Sequence, residues 1–451
     1  MPVARFARAA TTRALAAPRP WSGIDPAKAQ EDMKVVIITS GSRGDVVPYA
    51  GLGARLKAAG RDVAIATQEA FAETVRDVGC EYRWIPGDTR ALLGSEEGQQ
   101  WQRGGTGRFA AMRTNIQMGM RLLQEMGEGV LSAAHGADIL LLQRTALWHG
   151  YLAAKALGIP GMALELFPSV PTADFPLPSF DVRFLGRWGN RNIPRLAIAA
   201  SRRIRTKMDG PLREFQRKLG LPASGLGAVR AEMLRDENWP IHHGFSPSVV
   251  PRPADWRPGV EVVGNWWPPY PRGWKPAAEL VDFLESGPAP VFIGFGSMTG
   301  STGERLAGTV SAALREAKVR AVIQSGWSTL TGAGDDVITV GDVPHEWLFP
   351  RMAAVVHHGG AGTTGAGVRA GVPAVPMPIL GDQQFWSERL VKLGVSPGWT
   401  PMRTLSPDRL ADLIRRAVTD RSYRERAAAI AERVRTEDGA ARVVEAVRPQ
   451  R

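Results

Sequence analysis

Residues 355–386 read VVHHGGAGTTGAGVRAGVPAVPMPILGDQQFW. The segment Ala353–His357 has the apolar composition of a buried parallel strand, and it runs directly into glycines. Gly359-Gly360-Ala361-Gly362-Thr363-Thr364 then opens a helix. Glycines let backbone amides come close to an anion, and the helix N-terminus adds partial positive charge. His358 and the Thr363 hydroxyl are both suited to donate to a phosphate oxygen. A glycine turn required only for packing is the plainer alternative. Further on, Gly381-Asp382-Gln383-Gln384 follows an expected strand at Pro373–Pro376 and a proline-containing loop. A carboxylate that accepts and an amide that does both suit the hydroxyls of a sugar. Asp382 is equally a favoured cap for a helix beginning near Gln384.

A related loop lies near the start of the chain. Lys34–Ile38 reads as a buried strand and continues into TSGSRGDVVP, residues 39–48. This glycine loop carries an acid, Asp45, where phosphate is the usual guest. Asp45 reads either as the cap of a helix beginning near Val47 or as a carboxylate with chemical work to do. An adhesion signal made of Arg43-Gly44-Asp45 needs an exposed loop on a secreted protein, and a loop behind a buried strand does not provide one.

Working outward, short apolar runs alternate with helical patterns, the mark of parallel α/β layers. Helices are expected at Tyr49–Ala59, Phe71–Val78 and Leu147–Leu157, and strands at 62–66, 139–142, 291–295, 321–324 and 337–340. At 451 residues the chain is too long for one ordinary core. Pro, Gly and Trp crowd residues 247–290, which marks the boundary. The expected division is an extension over 1–32, a first Rossmann-like domain over 33–250, a linker over 251–288, a second such domain over 289–420, and a final helix over 421–451. Ligands of open parallel sheets bind beyond the carboxyl ends of the strands, where all of these glycine loops fall.

Composition narrows the function. With 44% hydrophobic and 22% charged residues the chain is that of a soluble globular protein. One cysteine, Cys80, excludes an internal disulfide and a cysteine-based zinc site, and no other cluster has metal-ligand spacing. The net charge of +12 fits an Arg-rich compositional bias, or attraction to an anionic small molecule or membrane surface. No basic stripe interleaved with aromatics is present, so nucleic acid is not an expected partner. Residues 1–32 lack the apolar core of a secretory signal, Met33 is an alternative start, and a cytoplasmic protein is expected. His149 opens a helix after a strand and is a candidate wall of an acceptor pocket. His242-His243 read as structural, His135 as surface, and His345 as a neighbour of a nucleobase. Phe167, Phe175, Phe180, Phe184 and Trp188 fit either an apolar acceptor pocket or ordinary core.

GSRGDVVPYAGLGARLKAAGRDVAIAT, GFGSM, DVPHEWLFPRMAAVVHHGGAGTTGAGVRAGVP and GDQQFW, in this order and spacing, closely resemble the glycosyltransferase family 1 enzymes. The nearest branches are the sterol glucosyltransferases and the actinobacterial enzymes that glycosylate glycopeptides and macrolides. The resemblance covers about Met33 to Gly439. It implies the GT-B fold, two Rossmann-like domains facing across a cleft with a last helix crossing back to the first domain. It further implies a single inverting displacement without metal, moving a hexose from UDP-glucose, or a deoxysugar from a TDP donor, to a hydroxyl of an apolar small molecule. By that resemblance Ser297, His358, Gly360, Gly362 and Thr363 hold the diphosphate. Val343 meets the nucleobase through its backbone, with Trp327 a candidate for stacking on it, because Asp342 replaces the Trp of the plant members. Ala366 stands where those members have a ribose-binding Glu. Asp382 and Gln383 bind the transferred sugar. Asp45 is the general base, in an acceptor loop with Ser42, Arg43 and Gly44. A monomer or weak dimer with peripheral membrane contact is expected. A same-fold epimerase and a non-catalytic auxiliary protein are the rival readings.

Overall fold

The computed structural model describes residues 33–89, 91, 95, 125–178, 185–201, 209–296, 303–326 and 334–448. The expectations for residues 1–32, Phe180, Phe184, Ser297 and Trp327 fall outside them.

Seven parallel strands form the first sheet. They are β1 (Lys34–Ile38), β2 (Asp62–Thr67), β3 (Glu81–Trp84), β4 (Ile139–Gln143), β5 (Gly161–Glu165), β6 (Ile241–His243) and β7 (Val260–Val262), in the order 3-2-1-4-5-6-7. The second sheet has five: β8 (Val291–Gly294), β9 (Ala321–Gln324), β10 (Val337–Val340), β11 (Ala354–His357) and β12 (Ala374–Pro376), in the order 10-9-8-11-12. Strand order reverses at β1/β4 and at β8/β11, the topological switch points where a crevice opens. The Asp45 loop follows β1 and the His358 loop follows β11, so both lie at a switch point.

The apolar runs are continuous because both faces of each sheet are covered. Val35 and Ile37 pack on one side of β1 with Tyr49, Leu52 and Leu56, while Val36 and Ile38 face the other side with Leu140 and Tyr151. In the second sheet Ile293, Ile323 and Val356 share one core, and Phe292, Val322 and Val355 the other.

Two expectations are corrected. The first helix, α1, spans Arg43–Ala58 rather than beginning at Tyr49, with Pro48 inside it. Pro48 is the sixth residue, past the first turn, so its missing N–H costs the ladder one bond, to the Gly44 carbonyl. The stretch 251–288 is not all linker. It supplies β7, paired with β6, and a helix at Ala278–Glu285 that contacts β10, so the crossing lies between Val262 and Ala278.

Three helices end the chain: one at Pro407–Thr419 in the second domain, one at Arg421–Thr436 packed on the helix Ala361–Ala370, and one at Gly439–Ala446. Val443, Val444 and Val447 enter the core of the first domain beside Tyr49 and Leu56. The return is pinned by Arg55 to Asp438 at 2.6 Å, and by the Ser246 and Ser248 hydroxyls donating to Glu437 at 2.8 and 2.7 Å. At the crossing a Cβ on Gly439 would stand 2.1 Å from the Gly264 carbonyl oxygen. Gly439→Ala is therefore expected to destabilise the protein by about 1–3 kcal/mol in urea unfolding. An unchanged midpoint would show that the crossing is loose.

Candidate functional site

The rear wall of the cleft is built by backbone. β11 ends at buried His357, whose Nδ1 accepts from the Gly359 N–H at 3.1 Å. This bends the chain so that Gly359 takes φ +84°, and a Cβ there would stand 2.8 Å from the Gln383 carbonyl oxygen and 3.0 Å from Ser387 Oγ. Only glycine lets the His358 loop rest directly on the start of the helix that carries the Asp382-Gln383 pair. Burial lowers His357 to about 3 and His358 to about 4, so both imidazoles are neutral at pH 7. The His358 Nδ1 is buried and has no hydrogen-bond partner in the structure.

The helix Ala361–Ala370 begins at Gly360, which has no side chain to cap it. The amides of Ala361, Gly362 and Thr363 therefore stay available to an anion, in line with the helix dipole. Thr363 is partly exposed at this mouth, whereas Thr364 is buried with an unpartnered hydroxyl.

Asp382 occupies the N-cap position of the helix Gln383–Lys392, but its side chain does not cap. Its Oδ2 accepts from the Trp386 indole N–H at 2.7 Å, one turn further on. Burial drives the Asp382 carboxyl up to about 6, against that hydrogen bond, and the Asp45 charge adds to the rise. Gln383 is buried, and its amide oxygen accepts from the Ile379 and Leu380 N–H groups at 2.8 and 3.1 Å. That oxygen ties down the loop, leaving the amide NH2 as the polar end for a ligand.

On the front wall, Ser42 is the N-cap of α1 and Asp45 is its third residue, which corrects the reading of Asp45 as the cap of a helix near Val47. The Asp45 carboxylate instead accepts from the Ser42 N–H at 2.8 Å and the Ser42 hydroxyl at 3.0 Å. Burial raises its proton affinity above the ordinary carboxylate value, with the Ser42 bonds pulling the other way. Gly44 and Arg43 are exposed beside it. Arg43 Nη1 lies 3.7 Å from Asp342 Oδ2 in the opposite domain, an exposed pair that spans the gap.

The remaining candidates separate. Val343 is partly buried against the second-domain core, beside His345, which stacks on Phe349 at 4.2 Å. His149 is fully buried, edge-on to Phe215 at 4.9 Å in the first-domain core. Phe167 is partly buried and lies under the Arg144 guanidinium, whose carbon is 5.9 Å from the ring centre. Phe175 crosses to Phe385 at 5.4 Å, and Trp188 is exposed. No group of His, Cys, Asp or Glu among the described residues has the arrangement of a metal site.

Sequence reasoning missed three participants. Trp386 carried a usable signal, since it stands four residues after Asp382 on a helix. The Arg43–Asp342 bridge and the backing of the phosphate-loop helix by Asn265 and Trp267 carried none. A Cβ on Gly365 would meet Asn265 Nδ2 at 2.8 Å, and Arg369 lies over Trp267 at 4.7 Å.

Two family models match. One is the glycosyltransferase family 28 N-terminal domain, over residues 35–173, and the other the erythromycin biosynthesis protein CIII-like C-terminal domain, over residues 313–448. A sterol 3-beta-glucosyltransferase of Arabidopsis thaliana is 32% identical over 429 residues, covering 92% of this chain but 65% of its own length. The O-mycaminosyltylonolide 6-deoxyallosyltransferase of Streptomyces fradiae is 33% identical over 415 residues, covering 90% of this chain and 95% of its own. The glycosyltransferase SsfS6 of Streptomyces sp. SF2575, solved with thymidine diphosphate, superposes with a TM-score of 0.61 at 21% identity, over 92% of this chain and 99% of that one. The two parallel-sheet domains are thus the GT-B fold.

A carboxyl raised to about 6 binds its proton more tightly folded than unfolded, so it costs stability as pH rises from about 4 through 6. Asp382→Asn keeps an acceptor for Trp386 and removes that cost. Its melting temperature should exceed that of the parent at pH 7.5 and match it near pH 4. A variant less stable at both pH values would contradict the assigned burial.

Proposed function

The chain belongs to the glycosyltransferase family of these Streptomyces and Arabidopsis relatives, and on that premise we propose that it moves a hexose from a nucleoside diphosphate to a hydroxyl of a largely apolar small molecule. The observation that carries this reading is convergence. Asp45 comes from the switch point of one sheet, His358 from that of the other and Asp382 from beyond the neighbouring strand β12, all at the carboxyl ends of their strands. Asp45 is near enough for its charge to be felt at Asp382, while Arg43 reaches Asp342 on the far side.

In this reading the diphosphate lies on the amides of Gly362 and Thr363, with His358 donating as a neutral imidazole. Asp382 and the Gln383 NH2 hold the sugar hydroxyls. The acceptor oxygen attacks the anomeric carbon from the front wall as the bond to the diphosphate oxygen breaks, so the configuration inverts. The acceptor proton passes to Asp45. Burial makes that carboxylate a better base than a free one, and the Ser42 bonds fix its direction. The charge that develops on the leaving diphosphate falls at the helix N-terminus, where preorganised dipoles stabilise it without a metal ion.

UDP-glucose is the first choice of donor, supported by the sterol 3-beta-glucosyltransferases among the relatives. A TDP-deoxysugar is the second, favoured by the full-length match to the deoxyallosyltransferase and by the thymidine diphosphate in SsfS6. A panel of both donors with sterol, macrolide and flavonoid alcohols, read by mass spectrometry, separates them. A non-catalytic auxiliary role would be compatible with loss of the base or the phosphate loop, and Asp45, His358, Asp382 and Gln383 are all present.

Asp45→Asn should lower kcat by roughly 10²–10⁴-fold, with the calorimetric Kd for UDP or TDP within twofold of the parent. Transfer at the parental rate would remove Asp45 from the mechanism. Addition of EDTA should leave the parental rate unchanged, and a loss restored by Mg²⁺ would overturn the metal-free step.

A further inference from the structure

We propose that the outward face of the helix Gly186–Ser201 is a docking surface for an anionic lipid bilayer. This helix has two apolar sides. Asn190, Pro194 and Ile198 are buried on the inner one, and the Asn190 amide faces the Ala173 carbonyl at 3.4 Å. On the outer side Trp188 is 60% exposed and Leu196 59%, with Leu185, one residue before the helix, at 39%. At 100° per residue these three fall within an arc of about 80°. They are three of the eight large apolar side chains that are exposed among the described residues, gathered on one strip.

Charge identifies the occupant. Arg191 and Arg195, one turn apart and both exposed, border the strip on one side, with Arg191 also lying 3.7 Å from Asp255 Oδ2. The helix contains no Asp or Glu, and the chain as a whole carries +12. A tryptophan and two leucines reach the depth of the headgroups while arginine stems lie along the surface and their guanidinium groups meet lipid phosphates. A neutral protein partner gives no such reason for the flanking arginines. The strip also sits beside the segment that leads to the cleft. Arg187 pairs with Asp174 at 3.0 Å, and the adjacent Phe175 reaches Phe385 of the second domain. Docking there would bring the acceptor side of the cleft to the bilayer. The inference goes beyond the transfer reaction and is tested without donor or acceptor, so either can fail alone.

The test uses the full chain in flotation with vesicles of phosphatidylcholine alone and of phosphatidylcholine with 30% (roughly a third) phosphatidylglycerol. The parent should float with the anionic vesicles and lose binding as salt rises. Trp188→Glu/Leu196→Glu, checked for an unchanged melting temperature, should lower the bound fraction at least about fivefold. Arg191→Gln/Arg195→Gln should flatten the salt dependence. Trp84→Glu, at an exposed residue on the edge strand β3, should bind as the parent does. The proposal is overturned if the parent does not float with anionic vesicles, or if the Trp188/Leu196 double variant floats equally well. It is overturned too if that variant only converts a dimer into a monomer by light scattering, which would make the strip an interface between copies of the chain.

Discussion

The cleft depends on one close approach. The loop after β11 can rest on the loop before the helix Gln383–Lys392 only because Gly359 has no side chain. A methyl group at that point would collide with the Gln383 carbonyl and the Ser387 hydroxyl, both fixed within the helix. From this contact the rest follows. His357 ties the turn by accepting from Gly359, His358 is carried to the mouth, and the first amides of the next helix are aimed into the same space. Groups of this kind are held by secondary structure rather than by rotamers, and a charge that develops before them finds its dipoles already oriented.

The charge of Asp45 is felt at Asp382 because the domains share an apolar seam. Phe245 packs on Trp386 at 5.4 Å, and Phe175 on Phe385 at the same distance. Arg389 donates to the Val249 carbonyl at 2.6 Å across the seam. Aromatic pairs of this geometry add about 0.5–1.5 kcal/mol each beyond the area they bury. Trp386 has a double part, since its ring belongs to the seam while its N–H holds Asp382. The desolvation that raises Asp382 is therefore a direct consequence of domain packing, and the carboxyl is maintained at a cost to stability.

Much of the fold was legible in the order of residues. The strands richest in Val, Ile and Leu, at 34–38, 139–143, 291–294 and 321–324, were readable because both of their faces are buried and the apolar run is unbroken. The short strands EYRW, IHH and VEV were not, since three or four residues with polar members carry no periodicity. The start of α1 was misjudged because Gly44 and Pro48 are breakers on average, yet the helix carries both, Gly44 in its first turn and Pro48 in its second.

The amino-acid order alone determined that there are two parallel α/β domains, that an anion-ready loop surrounds His358, and that an acid stands behind the first strand. Those properties are local: apolar runs, glycines and cap residues act within a few positions of themselves. Tertiary structure decided which way the side chains serve. Arg43 meets Asp342, the charge of Asp45 is felt at Asp382, and His149 disappears into a core. Burial and charge neighbours arise between segments hundreds of residues apart, and desolvation depends on what closes over a group rather than on what precedes it in the chain.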